Sequence, residues 1–322
     1  MYPSIVADIG GTNARFALVS GKHNGQFNIS DIHILPAGEY PNINDAFRAY
    51  LGKIGGIQPR ALCAAIAGPI IGDQVKMTNL NWEFSCRQVA AEFGLEAFIP
   101  MNDFAAIAAA VGNIHPDHVQ NIKPGLSDPN GNKAVFGAGT GLGVAGVVNH
   151  AGKWLPLPSE GGHVNLAPTN ALEADIIKAA MLTHAQVSAE LFISGPGLVH
   201  LYNALAVVLG VAPESVTPAD VTTKGLANSC ALCRQTLEVF CSLAGSFAGN
   251  LALTYGATGG VYIAGGVVPR FSDFLRASTF IEKFNAKGLQ SGYVANVPVD
   301  LIVHPEIAFA GAAAWLEQQL GA

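Results

Sequence analysis

The chain has 322 residues, half of them apolar and only 12% charged, with a formal net charge of −6. That length and apolar fraction support a large core and two domains, while the low charge without a basic stripe argues against nucleic-acid binding. No basic-then-apolar leader opens the chain and no uninterrupted apolar run reaches the ~18 residues of a membrane span, so a cytosolic protein without membrane attachment is expected.

In chain order, residues 4–20 read as strand, Gly/Thr-rich turn, strand, and 27–35 as a third strand. Ile43, Phe47, Tyr50, Leu51 and Ile54 have helical spacing, stopped by Gly55-Gly56. Residues 61–67 predict a buried strand broken at Gly68-Pro69. Ser85 with Gln88 fits a capping box for a short helix ending at Gly94. A strand at 97–100 leads through Asn102-Asp103 into an alanine-rich helix to Val111. Residues 116–132 carry Pro, Gly, Asn and Asp and predict a loop near the domain crossing. A second hairpin follows at 134–157, then helices at about 170–183 and 196–209. Ser229 is the expected cap of a long helix from Cys230 to about Tyr255. Val261–Ala264 predicts a buried strand ending in Gly265-Gly266, followed by a helix at about 279–286 and a strand at 299–303. The last helix, 307–320, would carry Ile307, Ala310, Gly311, Ala314 and Trp315 on one face. Alternating strands and helices imply α/β architecture with mixed sheets.

The glycines of 137–143, GAGTGLG, are the strongest local signal. Gly141, Gly143 and Gly146 match the G-x-G-x-x-G dinucleotide fingerprint, which requires a helix directly after the turn. Here Val144–Val148 and the turn at 150–152 read as a strand and hairpin, so the fingerprint is rejected. Alternate glycines instead let backbone N–H groups crowd an anion. Asp8-Ile-Gly-Gly-Thr-Asn13 repeats the strand–turn–strand pattern about 130 residues earlier, which suggests two related subdomains offering hairpin turns to one polyphosphate.

Several side chains are open to two readings. Asp8 either makes a local turn hydrogen bond or holds Mg²⁺ through water, and the second glycine turn favours the metal. Asn102-Asp103 suits a helix cap, but one residue suffices for a cap, and a carboxylate at a strand end suits a base that takes a hydroxyl proton in phosphoryl transfer. Glu160 and His163 lie in a Gly-Gly loop as ligand contacts or ordinary polar residues, and Glu190 is a surface helix residue or a ligand contact. Cys230 and Cys233 form a C-x-x-C without the second pair a zinc site needs, and the five cysteines are expected to be reduced thiols.

Asp8–Arg15, Ala67–Ile70, Met77–Asn79, Asn102–Phe104, Gly137–Gly143, Glu160–His163, Ser188–Glu190, Ser194–Gly197 and Ile263–Arg270 together closely resemble, in order and over nearly the whole chain, the bacterial ATP-dependent glucokinases of the hexokinase–actin–heat-shock ATPase superfamily. The resemblance implies two ribonuclease H-like (actin-like ATPase) α/β domains flanking a cleft: a small one at 1–115 completed by a helix at about 304–322, and a large one at 116–303. It implies that the turns Asp8, Ile9, Gly10, Gly11, Thr12, Asn13 and Gly139, Thr140, Gly141 bind the phosphates of ATP, that Gly265 and Gly266 lie near the adenosine, and that Asp103 is the base on the glucose 6-hydroxyl. Asn102, Glu160, His163 and Glu190 would complete the sugar contacts, with Mg²⁺ carried by ATP and a homodimer as the assembly. The related repressor/ORF/kinase branch carries a cysteine-rich zinc motif after its sugar-binding histidine. Residues 164–170 contain no cysteine, which disfavours that branch. The competing expectations are a kinase for another hexose and an actin-like or chaperone-like ATPase without a sugar.

Overall fold

The computed structural model describes residues 1–68, 70–77 and 80–321. Pro69, Thr78 and Asn79, within two of the stretches that carry the resemblance, lie outside the described residues. The chain divides into two compact units, Met1–Asn113 with His304–Ala322, and Ile114–Val303.

The first unit runs β1 (Ser4–Ile9), β2 (Asn13–His23), β3 (Gln26–Pro36), α1 (Ile43–Lys53), β4 (Ala61–Ile66), β5 (Ile70–Ile71), β6 (Gln74–Lys76), β7 (Glu83–Ser85), α2 (Cys86–Phe93), β8 (Ala97–Asn102) and α3 (Asp103–Gly112). Its main sheet has the order β3-β2-β1-β4-β8, with β1, β4 and β8 parallel. Strand register puts Ile9, Ile66 and Asn102 in one row at the carboxyl ends of the three parallel strands. Asp8 precedes that row by one residue and Asp103 follows it by one, at the sheet edge where open α/β folds bind ligands. Strand alternation feeds two cores. Ile5, Ala7 and Ile9 pack with Phe47, Tyr50 and Val89 on one face. Val6, Ala61, Cys63 and Ala65 pack with Ala105 and Ala106 on the other.

The second unit contains β9 (Val119–Lys123), β10 (Lys133–Ala138), β11 (Leu142–His150), β12 (Lys153–Ser159), α4 (Ala171–Ala180), α5 (Ala189–Phe192), α6 (Gly195–Leu209), α7 (Pro218–Leu226), α8 (Ala231–Tyr255), β13 (Gly260–Ala264), α9 (Ser272–Ala277), α10 (Phe280–Asn285), α11 (Ser291–Ala295) and β14 (Val299–Ile302). Its sheet order is β12-β11-β10-β13-β14-β9. The hairpin β10–β11 with parallel β13 repeats the hairpin β1–β2 with parallel β4, as the internal repeat predicted. Among the described helices, α8 is long and apolar enough to cross a membrane by length and composition. Arg234 and Glu238 interrupt its run in the sequence, and most of the helix is buried in the core of this unit. The chain then returns to the first unit as α12 (Ile307–Gln319).

Local chemistry corrects three expectations. Ser85 caps α2 by accepting from the Gln88 N–H, but no reciprocal capping box forms, and its hydroxyl donates to Asp73 instead. The cap of α8 is Cys230, whose Sγ accepts from the Cys233 N–H at 3.3 Å, while Ser229 donates to the Lys224 carbonyl. The segment expected as a loop contains β9, which pairs antiparallel with β14. Beyond the expected face, α12 also buries Phe309, Ala312, Ala313 and Leu316, while Trp315 packs partly buried against the same core.

Buried lysines set the response of the second unit to alkali apart from that of the first. In the second unit, burial pushes Lys133 and Lys287 down to about 8 and also lowers Lys123. The unfolded chain keeps those protons to higher pH, so the lysine contribution to stability rises from about pH 8 towards the ordinary lysine range near 10.5. Burial raises thiols in both units: Cys86 in the first and Cys233 and Cys241 in the second are pushed up to about 12, and Cys63 in the first is raised further. Each folded unit then holds protons that unfolded thiols lose near their ordinary value of 9, a loss above that pH that the lysines offset only in the second unit. Urea unfolding with brief proteolysis and fragment mapping at pH 8 and pH 9.5 should show the first unit weakening relative to the second. The opposite order would contradict these assignments.

Candidate active site

The second unit holds a polar cluster built on close backbone packing. The turn after β12 places Glu160 before a 3-10 turn, Gly161–His163, closed by the His163 N–H to the Glu160 carbonyl at 3.0 Å. A Cβ on Gly162 would lie 2.0 Å from the Leu142 carbonyl oxygen, so only glycine lets this turn sit on β11. Ser159 and Tyr255 brace it: Ser159 Oγ accepts from the Gly161 N–H and from the Tyr255 hydroxyl, at 3.2 and 2.9 Å. On α5, capped by Ser188, stands Glu190. His163 Nε2 is 4.0 Å from a Glu160 oxygen, and its Nδ1 is 3.8 Å from Glu190 Oε1. The structure thus brings together Glu160, His163 and Glu190, with Glu160 89% exposed and Glu190 32%. Two carboxylates and an imidazole at these spacings, too long for hydrogen bonds with one another, offer acceptors and a donor to a ligand with several hydroxyls.

The same unit contains a cavity of about 310 Å³ where three backbone segments meet. The turn between β10 and β11 is closed by the Gly139 N–H to the Gly141 carbonyl at 2.8 Å. The Gly139 carbonyl accepts from the Gly195 N–H, at the start of α6, also at 2.8 Å. The Ala138 carbonyl accepts from the Val267 N–H at 3.2 Å. Gly265 has φ +83°, and a Cβ there would lie 2.4 Å from the Ala138 oxygen, so the turn after β13 requires glycine twice over. Gly139, Thr140 and Gly266 line the cavity, while Gly141 and Gly265 are absent from the lining. Arg270, Pro218 and Thr222, also in the wall, had no role from sequence. Arg270 sits in a quoted motif, but α7, which carries the other two, has no motif at all.

In the first unit the Gly10 N–H donates to the Asn13 carbonyl at 2.9 Å, closing the turn through Gly11 and Thr12. Asn102 Oδ1 caps α3 by accepting from the Ala105 N–H at 3.1 Å. Asp103 is therefore not needed as the cap, and its Oδ1 accepts from the Phe104 N–H at 2.8 Å. Asp8 lies 3.4 Å from Arg15, which also pairs with Glu306 at 2.6 Å. Burial, with the negative charges of Asp103 and Glu306, holds the Asp8 carboxyl above the usual carboxylate range despite Arg15. Among the described residues no cluster of three or more His, Cys, Asp or Glu side chains forms a metal cage. A carboxylate whose ionisation is opposed by a second carboxylate fits Mg²⁺ that arrives on phosphates and keeps its waters.

A family model described as Glucokinase matches residues 5–319. The chain belongs to the glucokinase family. The glucokinase of Saccharophagus degradans is 56% identical to it over 318 residues, 99% of each chain. That of Chromobacterium violaceum is 42% identical over 319 residues, 99% of this chain and 90% of the relative. A solved glucokinase from an Antarctic psychrotroph superposes with a TM-score of 0.94 at 41% identity, covering 99% of both chains. A ROK-family glucokinase from Streptomyces griseus, solved with glucose and AMPPNP, shares the fold at a TM-score of 0.65 and 20% identity, covering 98% of this chain and 99% of that one. The actin-like ATPase fold of these sugar kinases is thus the fold of the present chain, with mixed sheets in both units.

Proposed function

We propose that this glucokinase-family chain transfers the γ-phosphoryl group of ATP to the 6-hydroxyl of glucose, giving glucose 6-phosphate and ADP. The observation that carries the reading is the convergence of Glu160, His163 and Glu190 in a chain that matches the family from end to end. An ATPase without a sugar substrate has no use for that cluster, and no specific observation favours it.

In this reading Glu160, His163, Glu190 and the Asn102 amide hydrogen-bond the sugar hydroxyls. Asp103, from the first unit, takes the proton from the 6-hydroxyl as O6 attacks the γ-phosphorus and the bond to the β-phosphate oxygen breaks. The phosphates lie against the turns Gly10–Asn13 and Gly139–Thr140, and the adenosine lies near Gly265-Gly266. Asp8 would hold Mg²⁺ carried by ATP through water, and the ion would offset the negative charge of the phosphates. Exclusion of water from the reacting groups would keep ATP from being hydrolysed without transfer. A cytosolic homodimer is part of the same proposal, supported by the family resemblance and, for the compartment, by the five free cysteines.

ADP formation measured against glucose, mannose, N-acetylhexosamines and no sugar tests the reading. Turnover that depends on glucose supports it, turnover with a different hexose alone changes the substrate, and equal turnover without sugar sinks it. Glu160→Gln is expected to raise the glucose KM by about tenfold with kcat little changed, because a charged acceptor becomes a neutral one. An unaltered glucose KM would remove Glu160 from the sugar contacts.

A further inference from the structure

The turn between β10 and β11 has two faces, and only one of them borders the cavity. Gly139 and Thr140 line the cavity, whereas Gly141 does not. Glu190 stands against Gly141 although the two are far apart in the chain. Its Oε2 accepts from the Leu142 N–H at 2.8 Å. A Cβ on Gly141 would lie 2.5 Å from that oxygen and 3.3 Å from the carboxyl carbon. The other oxygen, Oε1, is the one directed towards His163, at 3.8 Å.

We infer that Gly141 and the Leu142 N–H are positioning groups for Glu190, and that Gly141 is not a phosphate contact. The inference rests on the glucose kinase reading and divides the labour within its glycine turn. A phosphate brought to Gly141 would meet the negative charge of Glu190 at close range, which two anions avoid unless a cation lies between them. The bare α-carbon of Gly141 instead lets the carboxylate reach the strand end, where the Leu142 N–H fixes Oε2. With one oxygen held by a backbone donor, the carboxylate has a set orientation, and Oε1 is presented on the His163 side to accept from a sugar hydroxyl.

The test is a double-mutant cycle of Gly141→Ala and Glu190→Ala, read as separate KM values for glucose and ATP. Gly141→Ala should raise the glucose KM at least ~10-fold and leave the ATP KM within ~2-fold, the scale of a misplaced charged hydrogen bond. In the Glu190→Ala background the added methyl meets nothing, so the second substitution should change neither KM by more than ~2-fold. If Gly141→Ala alone does not fold, the double variant should fold, because the clashing carboxylate is gone. Effects that multiply, a raised ATP KM in both backgrounds, or a double variant that still fails to fold would overturn the assignment of Gly141. A wild-type chain without glucose-dependent turnover would overturn the kinase reading together with it.

Discussion

Asp103→Asn is expected to lower kcat with glucose by at least ~10², the lower end of what a positioned general base contributes, with the glucose KM within a few-fold of the wild type. Asparagine keeps the Oδ1 acceptor that receives the Phe104 N–H, so the first turn of α3 survives the change. Asn102 keeps the cap, so helix loss would not explain a fall in rate. What disappears is the group able to take the proton from O6 as phosphorus is attacked. Single-turnover measurement of ADP release alongside equilibrium glucose binding separates the two quantities. Turnover near that of the wild type would move the base elsewhere.

Gly311→Ala is expected to destabilise the first unit by about 3 kcal/mol, a large part of the stability of a typical domain. Helix propensity argues the other way, since alanine is favoured over glycine by about 1 kcal/mol in a helix interior. Packing decides the sign. A Cβ on Gly311 would lie 1.7 Å from the Ala106 carbonyl oxygen, 2.7 Å from its carbon and 3.0 Å from the Ala110 nitrogen. These are backbone atoms of α3 that cannot rotate away, so α12 would have to withdraw from Phe309, Ala312 and Leu316's contacts with the sheet. Urea midpoints compared at constant slope provide the measurement. A variant as stable as the wild type would show that α3 and α12 can separate at no cost.

Much of this architecture was legible because the sequence carries strong local punctuation. The hairpins 4–20 and 134–157 have long apolar runs on either side of glycine turns, and their repetition gave the two-unit scheme directly. β9 escaped because Val119-Gln-Asn-Ile-Lys123 has little apolar content and owes its strand to an edge pairing with β14, almost 180 residues away. The spacing of α12 shows one apolar face, and the structure adds more burial, since the helix packs on α3 and the sheet and covers Phe309, Ala312 and Ala313 as well. At the site, residue types were readable and contacts were not. Nothing in the sequence links Glu190 to Leu142, since that bond depends on how α5 meets the end of β10–β11. Serine is the preferred cap before α8, but the thiol one residue later occupies the position.

The return of α12 to the first unit has a consequence for biosynthesis. The Ala-rich flank of α3 and the underside of β4 are made early, yet the helix that covers them emerges only after all of Ile114–Val303 has been translated. The second unit, continuous in sequence, can therefore complete its fold on the ribosome while the first still exposes an apolar face. Chaperone demand during translation should fall on that waiting surface, and the interval would lengthen with any slowing of elongation across the second unit.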